Sequence, residues 1–183
     1  MAKARYIGTM TTPPFGMPWR RLVPLTILVV SLGSLAPAYA AQYVFGLEPC
    51  ALCLYQRLPY VVTAMLGAAA LILPTEGGAR TSVVALSALV FAGGAALAFY
   101  HVGVEEHWWA SIAGCGGELA TSITLEDLRA GLNERPPKPC DQVDWRLFGL
   151  SLAGYNVAFS LFLAGTSLAG ARMLAKGAGE TTT

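Results

Sequence analysis

Four long stretches of this chain carry no charged side chain: Leu22 to Leu47, Leu58 to Thr75, Thr81 to Val104 and Leu147 to Ala171. A hydrocarbon core about 30 Å thick takes roughly 20 helical residues to cross. Lipid offers backbone N–H and C=O groups no partner, so each stretch has to satisfy its own hydrogen bonds, and helix does so locally. With 55% hydrophobic and only 13% charged residues, the chain is too apolar for an ordinary soluble domain. The expected fold is all-α: a four-helix transmembrane bundle over residues 22–171, between an amino-terminal segment 1–21 and a tail 172–183.

Basic residues set the expected orientation, because short cytoplasmic segments are enriched in Lys and Arg. The first 21 residues hold Lys3, Arg5, Arg20 and Arg21 without an acid, and Arg172 and Lys176 follow the last span. Both ends therefore read as cytoplasmic. The loop of about 105–145 then faces the other side, the periplasm of a bacterial inner membrane, and its acids outnumber its bases. Arg20-Arg21, the apolar run from Leu22 and Ala38-Tyr39-Ala40 imitate a cleaved export signal. Apolar character continues from Ala41 to Leu47, which makes a full span and favours retention. The net charge of +1 gives no reason to expect a nucleic-acid partner.

Within this frame, Pro24 is expected in the first helical turn and Pro37 to kink or shorten the first span. Pro49 is placed to begin the second helix, with Cys50 and Cys53 in its first turn. Gly67 to Ala70 and Gly93 to Ala96 allow close helix approach. Trp108 and Trp109 suit a membrane interface. Inside the loop, Thr124 to Asn133 reads as a short amphipathic helix, with Leu125, Leu128 and Leu132 on one side.

The chain has four cysteines, all on the expected periplasmic side, where disulfides form and persist. Cys50 and Cys53 stand at a helix start, where unpaired N–H groups favour thiolate. Cys115 lies among Gly114, Gly116 and Gly117, far in sequence from Cys140. Such a setting suits an exchanging disulfide, although a structural staple closing the loop also fits. Zinc is a further reading of four cysteines, but only one pair here has ligand spacing. Leu54 after Cys53 excludes the c-type haem motif, which needs His there. Two alternatives to redox catalysis thus stand open: a metal-binding membrane module and a disulfide-stapled, non-catalytic one.

Arg57 opens an otherwise uncharged span one turn below Cys53. A guanidinium there can anchor to the interface, or hydrogen-bond a quinone carbonyl and stabilise charge developing on it. His101, near the outer end of the third span, is the expected companion of Arg57 in that role.

Pro49-Cys50-Ala51-Leu52-Cys53-Leu54-Tyr55-Gln56-Arg57 resembles the Pro-Cys-x-Leu-Cys-x-x-x-Arg motif of the disulfide bond formation protein B family, DsbB. Tyr100-His101 through Trp109, Cys115, Cys140, Trp145 and Phe148-Gly149-Leu150 follow in that family's order. The family is itself an established example of a route that keeps a periplasm oxidising. The resemblance implies a thiol:quinone oxidoreductase that reoxidises a periplasmic, thioredoxin-like DsbA-type protein. It further implies ubiquinone, or menaquinone, as acceptor from the membrane pool. By the same resemblance, Cys115 takes the attack of the reduced partner and Cys140 resolves or is passed on. Cys53 matches the cysteine beside the quinone, and Arg57 and His101 match quinone-binding residues.

Overall fold

The computed structural model describes residues 19–73, 78–111, 138–143 and 145–179. Helix dominates: α1 (Trp19–Tyr43), α2 (Ala51–Tyr55), α3 (Arg57–Ile72), α4 (Ala79–Glu105) and α5 (Leu152–Gly179), with two short strands, β1 (Arg146–Leu147) and β2 (Leu150–Ser151), before the last. α1, α4 and α5 are each long and apolar enough to cross a membrane. α3, with 16 residues, completes an all-α, four-helix membrane bundle. α4 packs most extensively on α5, α1 on α3 and α3 on α4, whereas α1 meets α5 only sparsely.

Close approach is built where the small residues lie. A Cβ on Gly67 would come within 2.9 Å of the Leu28 backbone nitrogen and 3.1 Å of the Pro24 carbonyl oxygen, so α3 and α1 touch backbone to backbone. In the second small-residue stretch it is Gly94 that packs, against Pro59, while Gly93 faces open space. Ser31 and Thr63 hydrogen-bond at 2.9 Å in the buried α1–α3 interface. Away from the cysteines, Arg80 is buried and donates to the Ala70 carbonyl (2.8 Å) and to that of Leu73. It thereby satisfies carbonyls that the end of α3 leaves unpaired.

Several boundaries differ from expectation. α1 starts at Trp19, so Pro24 falls in its second turn, and the helix runs through Pro37 before ending at Tyr43. α3 stops at Ile72 because Leu73 is extended, at φ −63° and ψ 145°, as the residue before Pro74 prefers. The last helix begins at Leu152, five residues later than expected. Arg146 pairs with Ser151 and Leu147 with Leu150 in a hairpin whose tip residues Phe148 and Gly149 both have positive φ, 50° and 81°. A two-residue hairpin turn of that kind needs both. The expected amphipathic helix at 124–133 and Cys115 lie outside the described residues.

Candidate functional site

Cys50, Cys53 and Cys140, the described cysteines, gather at one end of the bundle. Cys50 is the cap of α2 rather than part of its first turn: its backbone is extended, and its Sγ accepts the Cys53 N–H at 3.2 Å. That bond brings the two sulfurs to 2.6 Å, and both are thiols. Cys140 is buried at 1% exposure in one apolar cluster with Cys50, Leu52 and Val104, with Cys53 packed against it. Arg146 pairs with Glu106 at 2.8 Å and His107 with Asp141 at 3.9 Å. These contacts tie the segment around Cys140 to the end of α4.

The two helix-start thiols divide their ionisation. The hydrogen bond to Cys53, reinforced by burial, pushes Cys50 up to about 12 from the usual 9.0. The same bond, donated toward Cys53, holds Cys53 below 9.0. Once Cys53 ionises, one proton remains between the two sulfurs, and it resides on Cys50. The expectation that the helix start favours thiolate therefore applies to Cys53 and fails for Cys50.

His101 is buried, with Nε2 3.7 Å from Cys50 Sγ and 3.7 Å from Glu105 Oε1. Its other nitrogen, Nδ1, meets Gln56 Nε2 at 2.6 Å. Arg57 does not join this contact. It donates to Gln42 Oε1 and to the Ala38 carbonyl, and lies 5.0 Å from the centre of the Tyr39 ring. The expected partnership of Arg57 with His101 is thus indirect. Gln56 interrupts the helix between α2 and α3, and it, rather than Arg57, faces the histidine.

Where α1 and α5 separate, a cavity of about 680 Å³ opens, with Arg57 and Gln42 at one side, Cys50, Cys53 and His101 at another, and Phe159 among its apolar walls. Behind His101 runs a polar ladder absent from the expectations. Asn156 donates to Gln56 Oε1, and both Tyr60 and Ser160 donate to Asn156 Oδ1. The signal available was spacing: Gln56 and Tyr60, and Asn156 and Ser160, are each four apart, which puts the second pair on one face of α5. Glu105, expected in the loop, is the buried last residue of α4, and its Oε2 has no partner among the described residues.

The DsbB family model, described as disulfide bond formation protein DsbB, matches residues 20–170. The chain belongs to the DsbB family. A disulfide bond formation protein B of Xanthomonas oryzae pv. oryzae is 31% identical over 158 residues, covering 82% of this chain and 89% of that protein. One from Xanthomonas campestris pv. campestris is 31% identical over 137 residues, covering 72% and 78%. An uncharacterized protein of Rickettsia prowazekii is 23% identical over 145 residues, covering 78% and 83%. No solved structure matches. DsbB membership assigns the chain to disulfide bond formation, and so to disulfide oxidoreductase chemistry, at a membrane.

Proposed function

We propose that this DsbB-family protein oxidises a periplasmic, thioredoxin-like DsbA-type dithiol protein and delivers the electrons to ubiquinone, or menaquinone, of the inner membrane. In this reading both termini are cytoplasmic and the cysteine end faces the periplasm. The observation that carries it is the burial of Cys140 against the Cys50–Cys53 pair, itself at the wall of a cavity that reaches Arg57 and His101.

The residues fit a quinone. The cavity falls in the range of about 300–1,000 Å³ usual for small-molecule sites, its walls are largely apolar, and the Arg57 guanidinium and the His101 ring line it together with the sulfurs. A bound quinone supplies an acceptor for two electrons and two protons. The chain's own part is thiol exchange. Cys115 takes the partner's thiolate, which frees Cys140, and Cys140 attacks the Cys50–Cys53 disulfide at Cys50. Cys53 is then the leaving sulfur, and a thiol of lower pKa leaves faster. Its electrons emerge beside the cavity, where Arg57 balances negative charge. A partner whose second, resolving cysteine is replaced by Ser should attack the Cys115–Cys140 disulfide and accumulate as a mixed disulfide on Cys115, detectable by mass spectrometry. A partner trapped on Cys53 instead would reverse the proposed order.

A metal centre is the second reading, because Cys50, Cys53 and His101 place donor atoms within 4.8 Å of one another. Tetrahedral zinc with bonds of about 2.3 Å holds its sulfurs roughly 3.8 Å apart, whereas these stand at 2.6 Å. The spacing favours a pair that bonds to itself. Full activity in zinc-free protein supports the dithiol reading, and activity that follows zinc content supports the metal one.

A further inference from the structure

We infer that Asn156 and Gln56 are positioning residues that hold His101 in the tautomer whose Nε2 carries the proton and faces Cys50. The ladder has a direction. Asn156 Oδ1 accepts from Tyr60 and from Ser160, the latter at 3.2 Å, so its amide nitrogen is turned away from both hydroxyls. That nitrogen donates to Gln56 Oε1, which leaves Gln56 only its own NH₂ to offer onward. His101 Nδ1, 2.6 Å away, must then accept. A neutral imidazole has one N–H, and it is left on Nε2, 3.7 Å from the Cys50 sulfur.

The consequence falls on Cys50. That sulfur is buried, so when the bond that Cys140 forms with it is reopened by attack of Cys115 on Cys140, the charge left on Cys50 has little solvent to stabilise it. An N–H aimed at it supplies a fixed donor where charge develops, and the donor does not have to reorganise at that moment. The other tautomer would present a lone pair to Cys50 and repel that charge. Glu105 Oε1, 3.7 Å from the same nitrogen, and the Cys140 backbone, which also hydrogen-bonds the ring, compete for that N–H. The ladder spans three elements, from Ser160 and Asn156 on α5, through Tyr60 on α3 and Gln56 before it, to His101 on α4. A contact on the last helix thus governs a sulfur on the second.

The inference rests on Cys50–Cys53 as the exchanging pair, but its test needs neither partner nor quinone, so the two can fail separately. The chain has only two histidines, His101 and His107, so ¹⁵N-histidine labelling of the reduced, full-length protein gives two ring systems. A His107→Gln variant identifies the His101 signals. At neutral pH, His101 should show a protonated Nε2 and a bare Nδ1. Asn156→Asp keeps the shape but replaces the donor by an acceptor-only carboxylate, which turns the Gln56 amide and should move the proton to Nδ1. Gln56→Glu should do the same by a second route, and retained helical circular dichroism with a cooperative unfolding transition shows that either variant is folded. In both, Cys50 should be alkylated more slowly than in the parent at the alkaline end of a pH series, while the pH midpoint of Cys53 stays. Protonated Nδ1 in the parent, or no change of tautomer in folded Asn156→Asp and Gln56→Glu, would overturn the inference and leave the ladder a packing feature.

Discussion

The reduced Cys50–Cys53 pair should lose its first proton from Cys53 and its second, far later, from Cys50. The perturbation is pH, and its scale follows from the geometry at the start of α2. Cys50 is 5% exposed and hydrogen-bonded to the neighbouring sulfur, which raises it to about 12 from 9.0. At a tenfold change per pKa unit, this lowers the Cys50 thiolate population by roughly 1,000-fold at any pH below 9. Cys53 moves the opposite way, under the hydrogen bond that Cys50 donates. Because thiolate is the species alkylated, isotope-coded maleimide and peptide mass spectrometry across a pH series can follow each cysteine in the full-length protein. The readout is the pH dependence of each curve and not its absolute rate, since poor access slows Cys50 equally at every pH. The Cys53 midpoint should lie below 9.0, and the Cys50 curve should still be rising at the alkaline end of the series. Removing the first cause by Cys53→Ser should bring the Cys50 midpoint down toward the ordinary thiol range. Equal midpoints, or a Cys50 midpoint unmoved by Cys53→Ser, would refute the shared-proton account.

Other expectations concern the frame and the cavity. Arg80→Leu strips hydrogen bonds from the Ala70 and Leu73 carbonyls and should destabilise the bundle by about 2–6 kcal/mol, at about 1–3 kcal/mol for each buried group left unpaired; reversible unfolding in mixed micelles measures it, and no loss would mean that water replaces the guanidinium. Gly67→Ala drives a Cβ into α1 backbone and should cost about 1–3 kcal/mol as overpacking, whereas Gly93→Ala, facing open space, should cost little in the same assay. Arg57→Ala should raise the quinone concentration needed for half-maximal turnover while the protein still exchanges disulfides with its partner; an unchanged quinone dependence would remove Arg57 from the cavity's function.

The helices were legible because an uncharged run long enough to cross lipid has few other ways to satisfy its backbone. The cysteine pair was legible for a related reason, since few roles suit two thiols three residues apart at a helix start. What was hidden depended on phase and on the direction of side chains. Gln56 interrupts the helix, so counting four from Cys53 pointed to Arg57 as the neighbour of His101, when the break turns Gln56 there and sends Arg57 to Gln42 and Tyr39. Asn156 is one amide in an apolar span and shows its role only once Tyr60, Ser160 and Gln56 are brought around it from other segments. Glu105 looked like the first acid of a loop, because charge alone does not reveal that α4 carries it inward beside His101. The hairpin before α5 was concealed in a run of apolar residues, where Phe148 and Gly149 gave only the faint sign of a glycine at a turn.

The central claim is that two electrons leave a protein dithiol through Cys53 and arrive on a quinone. Purified protein mixed with a reduced thioredoxin-like partner and a soluble quinone allows thiol content and quinone absorbance to be followed together. The account predicts that one quinone is consumed for every two thiols lost, and that Cys53→Ala abolishes both signals. Thiol oxidation that proceeds without loss of quinone absorbance, or that persists in Cys53→Ala, would contradict it.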